Sequence, residues 1–338
     1  MIPPLLCGWR TEEANTQHAG VGPESVQRTP NIDAMHPPPT RVVALGGIVA
    51  ISTTAIVVRA ADNSPTAITF FRMVYAIPVL LVLYAFVFRR DSRPWKARAI
   101  AALSGIFLAA DLTAWHVAIG EIGAGLGTVL VNTQVIFVAV AGWLIYRERP
   151  TRTALVLIPV ILVGVLLLSG LGGSDAYGDN PWAGIAFGLL AGVFYAMFIF
   201  TLGASNRGYL APAVGPLLDS TAGAAVTGLG IGLLIGLDFS FDITWPEHGW
   251  ILAMALVTQV LGWLLITYAL PRLPALETSA LILLQPMLAI VWAYLLFDEA
   301  LSWVQWLGVV IVLGGLLILN ARGAVEPKAR TTTAKAAS

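Results

Sequence analysis

The sequence predicts an all-α, polytopic membrane protein: ten transmembrane helices arranged as two inverted five-helix repeats. Three observations predict it. The 338 residues are 57% hydrophobic and 11% charged, against about 25% charged in a soluble protein, a deficit explained if most of the chain faces lipid. Ten apolar runs lie between two polar tails, each near the roughly 20 residues that span a bilayer as a helix. Finally, the second half repeats the first. An offset of 151 residues superposes Ala118 on Ala269, Gln134 on Gln285, Glu148 on Glu299 and Gly164 on Gly315.

The elements follow in order. Residues 1–40 are polar, Pro-rich and aperiodic, and read as a disordered tail. They lack the basic region and apolar core of a signal peptide. Met35 offers a second start, so whether residues 1–34 are translated stays open. The apolar runs lie at about 42–59, 66–88, 98–119, 123–146 and 152–169, then at about 182–203, 211–236, 248–270, 274–297 and 302–320. The first five belong to a repeat over 41–170 and the last five to a repeat over 182–321. Residues 322–338 form a second tail, also read as disordered. The connecting loops are short and hold Gly, Pro, Asp or Arg. No strand alternation persists, which argues against a membrane β-barrel.

The charges orient the runs. With the N-terminus inside, all but Arg59 and Arg72 of the 19 Lys and Arg fall on the inner side. The inner loops carry Arg89, Arg90, Arg93, Lys96 and Arg98, then Arg147, Arg149 and Arg152, then Arg207 and Arg272. The outer loops carry Glu121, Asp175, Asp179, Asp238, Asp242, Glu247, Asp298 and Glu299. Positive residues stay on the cytoplasmic side, so both termini are expected there, in the cytoplasmic membrane. Five helices per repeat is an odd number, so the repeats must insert upside down relative to each other. The charges agree, because each basic loop of the first half corresponds to an acidic loop of the second. An inverted repeat suits alternating access.

Several segments carry a resemblance. In the first half these are Pro65-Thr-Ala-Ile-Thr-Phe-Phe-Arg72, Ala118 and Glu148. In the second they are Tyr268-Ala-Leu, Ser279, Gln285-Pro286, Phe297-Asp-Glu299 and Gly308 to Gly315. With this ordered set the chain resembles the drug/metabolite transporter superfamily, and within it the EamA-type ten-helix carriers, over about residues 42–321. One departure is Val135, where a proline like Pro286 is expected; it makes equal flexing of the two halves an open question. The resemblance implies a central cavity lined by helices one to four and six to nine, with the fifth and tenth peripheral. It also implies export of small metabolites, often amino acids, or of drugs, without ATP. The sequence agrees on ATP, having no G-x-x-x-x-G-K-[ST] loop.

Ionisable groups inside a bilayer are costly and need a reason. Arg72 lies within the second run and reads as an anion-binding or gating charge, or as a snorkelling structural arginine. Asp111 lies mid-way along the third run with Trp115 on its face. Asp219 follows Pro216 in the upper-middle part of the seventh. Each carboxylate has three functional readings: carrying a coupling proton, pairing with Arg72, or binding a substrate ammonium. His116 sits about 140° around the helix from Asp111 and reads either as cavity-lining or as a helix–helix hydrogen bond.

Gln134, Tyr195, Gln259, Trp263 and Gln285 complete the substrate-binding candidates, with Asn132 and Tyr75 as further polar groups. Asn132 and Gln134 are two residues apart, so on one continuous helix only one of them should face a cavity. Some of this set must instead join helices. Gly184, Gly188 and Gly192, and likewise Gly228, Gly232 and Gly236, clear helix faces for close packing within the monomer or across a homodimer, which stays open as a partner. Glu148 and Glu299 read as caps at helix N-termini.

The expected function is therefore a secondary active transporter exporting a small zwitterionic or neutral metabolite, such as an amino acid, by alternating access. A drug or toxic-cation efflux carrier is the alternative, and a non-transporting sensor or scaffold a remote one. The chain has no H-E-x-x-H, no G-x-S-x-G and no paired-Asp motif of intramembrane proteolysis, so it is not expected to be an enzyme. One cysteine, Cys7, excludes an intramolecular disulfide and a cysteine-rich metal site. No cofactor or metal is expected. The partners are the substrate and the lipid bilayer; a net charge of zero gives no sign of nucleic acid.

Overall fold

The computed structural model describes residues 38–61, 63–146, 151–168, 180–209, 211–235 and 239–322. Among them all regular structure is helical. The helices of the first half are α1 (Pro38–Ser52), α2 (Thr54–Ala60), α3 (Pro65–Val87), α4 (Trp95–Ile122), α5 (Ala124–Val131), α6 (Gln134–Tyr146) and α7 (Arg152–Leu168). Those of the second are α8 (Pro181–Asn206), α9 (Val214–Ile235), α10 (Glu247–Met254), α11 (Trp263–Ala269), α12 (Ala275–Phe297) and α13 (Trp303–Arg322). A π-helical segment, Ala255–Gly262, joins α10 to α11. Nine stretches among the described residues are long and apolar enough to cross a membrane, and α7 is a shorter apolar helix of 17 residues. The protein is an all-α polytopic membrane protein, the architecture in which every backbone polar group is satisfied without water.

Helix starts follow local chemistry. Ser64 Oγ accepts the Ala67 N–H at 3.2 Å and Pro65 opens α3. Asn180 Oδ1 accepts the Ala183 N–H at 3.1 Å and Pro181 opens α8. In each case a side chain satisfies an orphan amide and proline takes a position that needs no donor. Gly123, at φ 85°, turns the chain from α4 into α5 in one residue.

Two runs are interrupted by their own hydroxyl and amide side chains. Ser52, Thr53 and Thr54 donate to the carbonyls of Val49, Ala50 and Ile51, each at 2.7 Å, where α1 gives way to α2. Asn132 Nδ2 donates to Thr128 O at 2.8 Å and Thr133 Oγ1 to Leu130 O at 2.6 Å, where α5 gives way to α6. Such bonds compete for carbonyls that a continuous helix would use. In the second half α12 contains Pro286 yet runs unbroken over 23 residues. The break therefore falls in the half that lacks the proline.

Glycines set the helix spacing. A Cβ on Gly105 or Gly223 would overlap the backbone of the opposing helix, so α4 and α9 meet backbone to backbone. Gly184, Gly188 and Gly192 of α8 face Ile122, Leu130 and the Thr133–Gln134 turn. Gly228 lies against α3 and Gly232 against Phe239. Gly164 of α7 packs on α13, and a Cβ on Gly308 would sit 2.8 Å from the Gly164 carbonyl. Glu148, Asp175, Asp179, Gly236 and Asp238 lie outside the described residues, as do 1–37 and 323–338.

Candidate substrate cavity

The helices enclose a cavity of about 320 Å³, within the range of small-molecule sites. Its deep part is lined by Arg72 of α3, Asp111 and Trp115 of α4, Gln134 of α6, Trp263 of α11 and Gln285 of α12. Tyr195 and Phe198 of α8 add an aromatic wall. Their rings stack at 5.8 Å, and Phe198 meets Trp263 edge-on at 6.0 Å. Towards the mouth lie Asn206, Arg207, Tyr209 and Ala211 between α8 and α9, Leu270 after α11, and Asn320 near the end of α13. The mouth thus opens at the end of the bundle where the arginine-bearing loops gather. Runs one to four and six to nine supply the walls. Helix α7 contributes nothing to them, and α13 contributes Asn320.

Four residues that line this cavity carry a buried polar atom with no hydrogen-bond partner among the described residues: Arg72 Nη1, Asp111 Oδ1, Trp115 Nε1 and Gln134 Oε1. Two are donors and two are acceptors. Arg72 and Asp111 act on one another electrostatically but form no ion pair within 4 Å. Arg72 is held from the other side. Its Nε donates to Gln259 Oε1 at 3.1 Å, and Gln259 Nε2 donates to Thr221 Oγ1 at 3.2 Å. Unpaired polar groups are expensive to bury, and the four residues that carry these atoms all line one cavity.

Seven of the candidates from the sequence meet here: Arg72, Asp111, Trp115, Gln134, Tyr195, Trp263 and Gln285. Three are placed elsewhere. Gln259 is fully buried behind Arg72 in the π-helical segment, a rare geometry that often accompanies functional sites. His116 Nδ1 lies 3.2 Å from both Thr69 Oγ1 and Pro65 O, tying α4 to α3, and His116 does not line the cavity. Asp219 is not in the upper-middle of the bundle beside Arg72. It lies at the arginine-bearing end, accepting from Arg93 Nη2 at 2.9 Å and Arg98 Nη2 at 3.0 Å. Tyr75 is engaged with His248 Nδ1 at 2.7 Å.

Asn132 and Gln134 both line the cavity, against the expectation for one helix. The turn between α5 and α6 separates them, so the 100° step per residue does not apply across it.

The sequence reading missed Arg93, Asn206, Tyr209, Thr221 and Ser279. Arg93 counted there as a loop charge, yet its side chain is fully buried. It grips Asp91 by two bonds of 3.0 and 2.8 Å. Burial pushes the Asp91 carboxyl up, but the Arg93 hydrogen bonds and charge outweigh this and hold it below the ordinary carboxylate value. The Asp91-Ser-Arg93 spacing was the available signal. Ser279 stood among the resemblance residues without a site role, and Asn206, Tyr209 and Thr221 carried no signal.

At the opposite end of the bundle Glu299 caps α5. Its Oε2 accepts the Ala124 N–H at 2.9 Å and its Oε1 pairs with Arg59 Nε at 3.3 Å. The cap serves the fourth run, not the helix that follows Glu299 in sequence.

Comparison with known proteins agrees with this architecture. An uncharacterized transporter of Bacillus subtilis (strain 168), YwfM, is 24% identical over 273 residues, covering 80% of this chain and 89% of its own. An uncharacterized transporter of Archaeoglobus fulgidus is 24% identical over 273 residues, covering 80% and 92%. A solved crystal structure shares the fold at a TM-score of 0.53 and 16% identity, covering 84% of this chain and 98% of its own. The EamA-like transporter family matches residues 40–170 and 182–321. Two family segments that between them span the cavity-forming helices identify the chain: it belongs to the EamA-like transporter family.

Proposed function

We propose that this transporter exports a small zwitterionic metabolite, such as an amino acid, across the cytoplasmic membrane. The observation that carries the reading is the set of four unpaired polar atoms. Arg72 Nη1 and Trp115 Nε1 offer N–H groups to a carboxylate, and Asp111 Oδ1 and Gln134 Oε1 offer acceptors to an ammonium. A zwitterion satisfies both pairs at once, and the apolar remainder of the wall accommodates a side chain.

In this reading the arginine-bearing end is cytoplasmic, as are both termini, and the cavity is open inward. Alternating access then closes the Asn206–Ala213 mouth and parts the Glu299 end, with the two five-helix halves exchanging conformations as inverted repeats. Asp111 is the coupling group, since a midplane carboxylate without an ion pair can exchange a proton with water in the cavity. Arg72, positioned by Gln259, anchors the anionic part of the substrate. Neither ATP nor a cofactor takes part, and no covalent chemistry on the solute is invoked.

A cation-efflux reading is favoured by the aromatic setting of Asp111, which shares its cavity with Trp115, Tyr195 and Trp263. The Arg72 guanidinium on the same cavity opposes a purely cationic substrate. The deciding experiment is a substrate screen in proteoliposomes, with and without an imposed proton gradient. Zwitterionic amino acids should drive counterflow and monovalent organic cations should not. Counterflow with cations alone would replace the proposal by the efflux reading, and no counterflow with any solute would remove both.

A further inference from the structure

We propose that the groove between α7 and α13 is a binding site for an anionic phospholipid. The groove has a volume of about 630 Å³ and lies away from the substrate cavity, to which α7 contributes nothing. Arg152 opens α7 and Arg322 closes α13, so the antiparallel pair brings both guanidinium groups to one end of the groove. Both arginines are exposed, and neither forms a hydrogen bond or an ion pair among the described residues. Among the described residues no carboxylate lines the groove. Below the arginines its walls are apolar: Val156 and Leu157 on α7, Leu317 and Ile318 on α13. Val156 is 65% exposed and Ile318 43% exposed, on helices that cross the membrane or lie along it.

Charge complementarity and shape select the occupant. Two unpaired guanidinium groups fit the single negative charge and unesterified oxygens of a phosphodiester. The apolar walls beneath them fit acyl chains, which a soluble anion lacks. A zwitterionic phospholipid fits less well, because its ammonium would face two cations, with no acceptor carboxylate among the described lining residues. The close Gly164–Gly308 approach makes the pair of helices one rigid wall, so a lipid seated there would brace α7 against α13.

The test uses the full chain in nanodiscs of phosphatidylglycerol and phosphatidylcholine in equal amounts, extracted gently and weighed by native mass spectrometry. Wild type should retain phosphatidylglycerol over phosphatidylcholine by about tenfold or more. Arg152→Gln with Arg322→Gln should abolish that preference, and Arg152→Lys with Arg322→Lys should keep most of it. Arg89→Gln with Arg90→Gln, exposed at the end of α3, should leave it unchanged. No preference in wild type, or a preference that survives the glutamine pair, overturns the proposal. Equal loss in the α3 variant would mean diffuse charge attraction and not a site. Displacement of the lipid by excess inorganic phosphate would make it a soluble-anion site instead.

Discussion

Glu299 and Arg59 meet at the end of the bundle opposite the cavity mouth, with Oε1 of one 3.3 Å from Nε of the other. Asp298 adopts a left-handed φ of 53° after α12, and the carboxylate that follows reaches the first amides of α5. The Arg59 guanidinium also lies 5.5 Å from the centre of the Phe297 ring. One contact thus ties the ends of α2 and α12 to the start of α5. Arg59 was the single basic residue at odds with the charge distribution of the loops, and its partner explains its position. A carrier that opens this end must part these groups. Glu299→Gln should therefore raise labelling, by an external thiol reagent, of a cysteine at Leu112 in a Cys7-free background. Unchanged labelling with normal abundance would make Glu299 a helix cap and nothing more.

Asp111→Asn should abolish accumulation against a gradient and leave substrate exchange largely intact. The amide keeps an acceptor oxygen in the cavity but carries no exchangeable charge. Parallel loss of both activities would mean that Asp111 binds substrate without coupling. Wild-type transport at normal membrane abundance would make it structural.

Trp115→Phe removes the indole N–H together with three ring atoms. If that N–H donates to the substrate carboxylate, the half-saturation concentration should rise about tenfold, equal to roughly 1.4 kcal/mol, with abundance unchanged. The residue's partly polar role would be discarded if only the maximal rate changed.

Asp219→Asn should cost stability more than transport chemistry. It leaves Arg93 with Asp91 alone and takes a partner from the half-exposed Arg98, so the cost stays below the roughly 3–5 kcal/mol of an uncompensated buried charge. The melting temperature in detergent should fall, and adding Arg98→Gln should recover part of the loss. The same cluster fixes a pH dependence. The Asp91 carboxyl is depressed below its ordinary value of 3.8. Its contribution is therefore complete above that value and is lost as the pH falls through the lower, folded-state value. A melting temperature that declines already well above pH 3.8 points to a different group.

Cysteines placed at Asp175 and Asp242 should react from outside intact cells. Labelling only after permeabilisation would reverse the orientation and with it the direction of the proposed export.

The sequence by itself determined where the helices lie and what kind of protein they build. Backbone polar groups in hydrocarbon must be satisfied within the segment, so apolar runs of sufficient length have essentially one outcome. It also marked Asp111 and Trp115 as one face, because four residues on an unbroken helix return to the same side. What it left to the tertiary structure were partners and interruptions. Asp219, Gln259 and His116 were legible as costly groups, but each was resolved by a residue from another part of the chain: Arg93 and Arg98, Arg72, and Thr69. The fourth run breaks at Asn132–Thr133 through hydroxyl and amide bonds to its own carbonyls, while α12 continues unbroken through Pro286. Periodicity fixes which residues share a face of one helix. How far that helix is rotated and shifted against its neighbours is set by the packing of all of them together, and that packing decided which polar atoms found partners and which residues around the cavity kept an unpaired one.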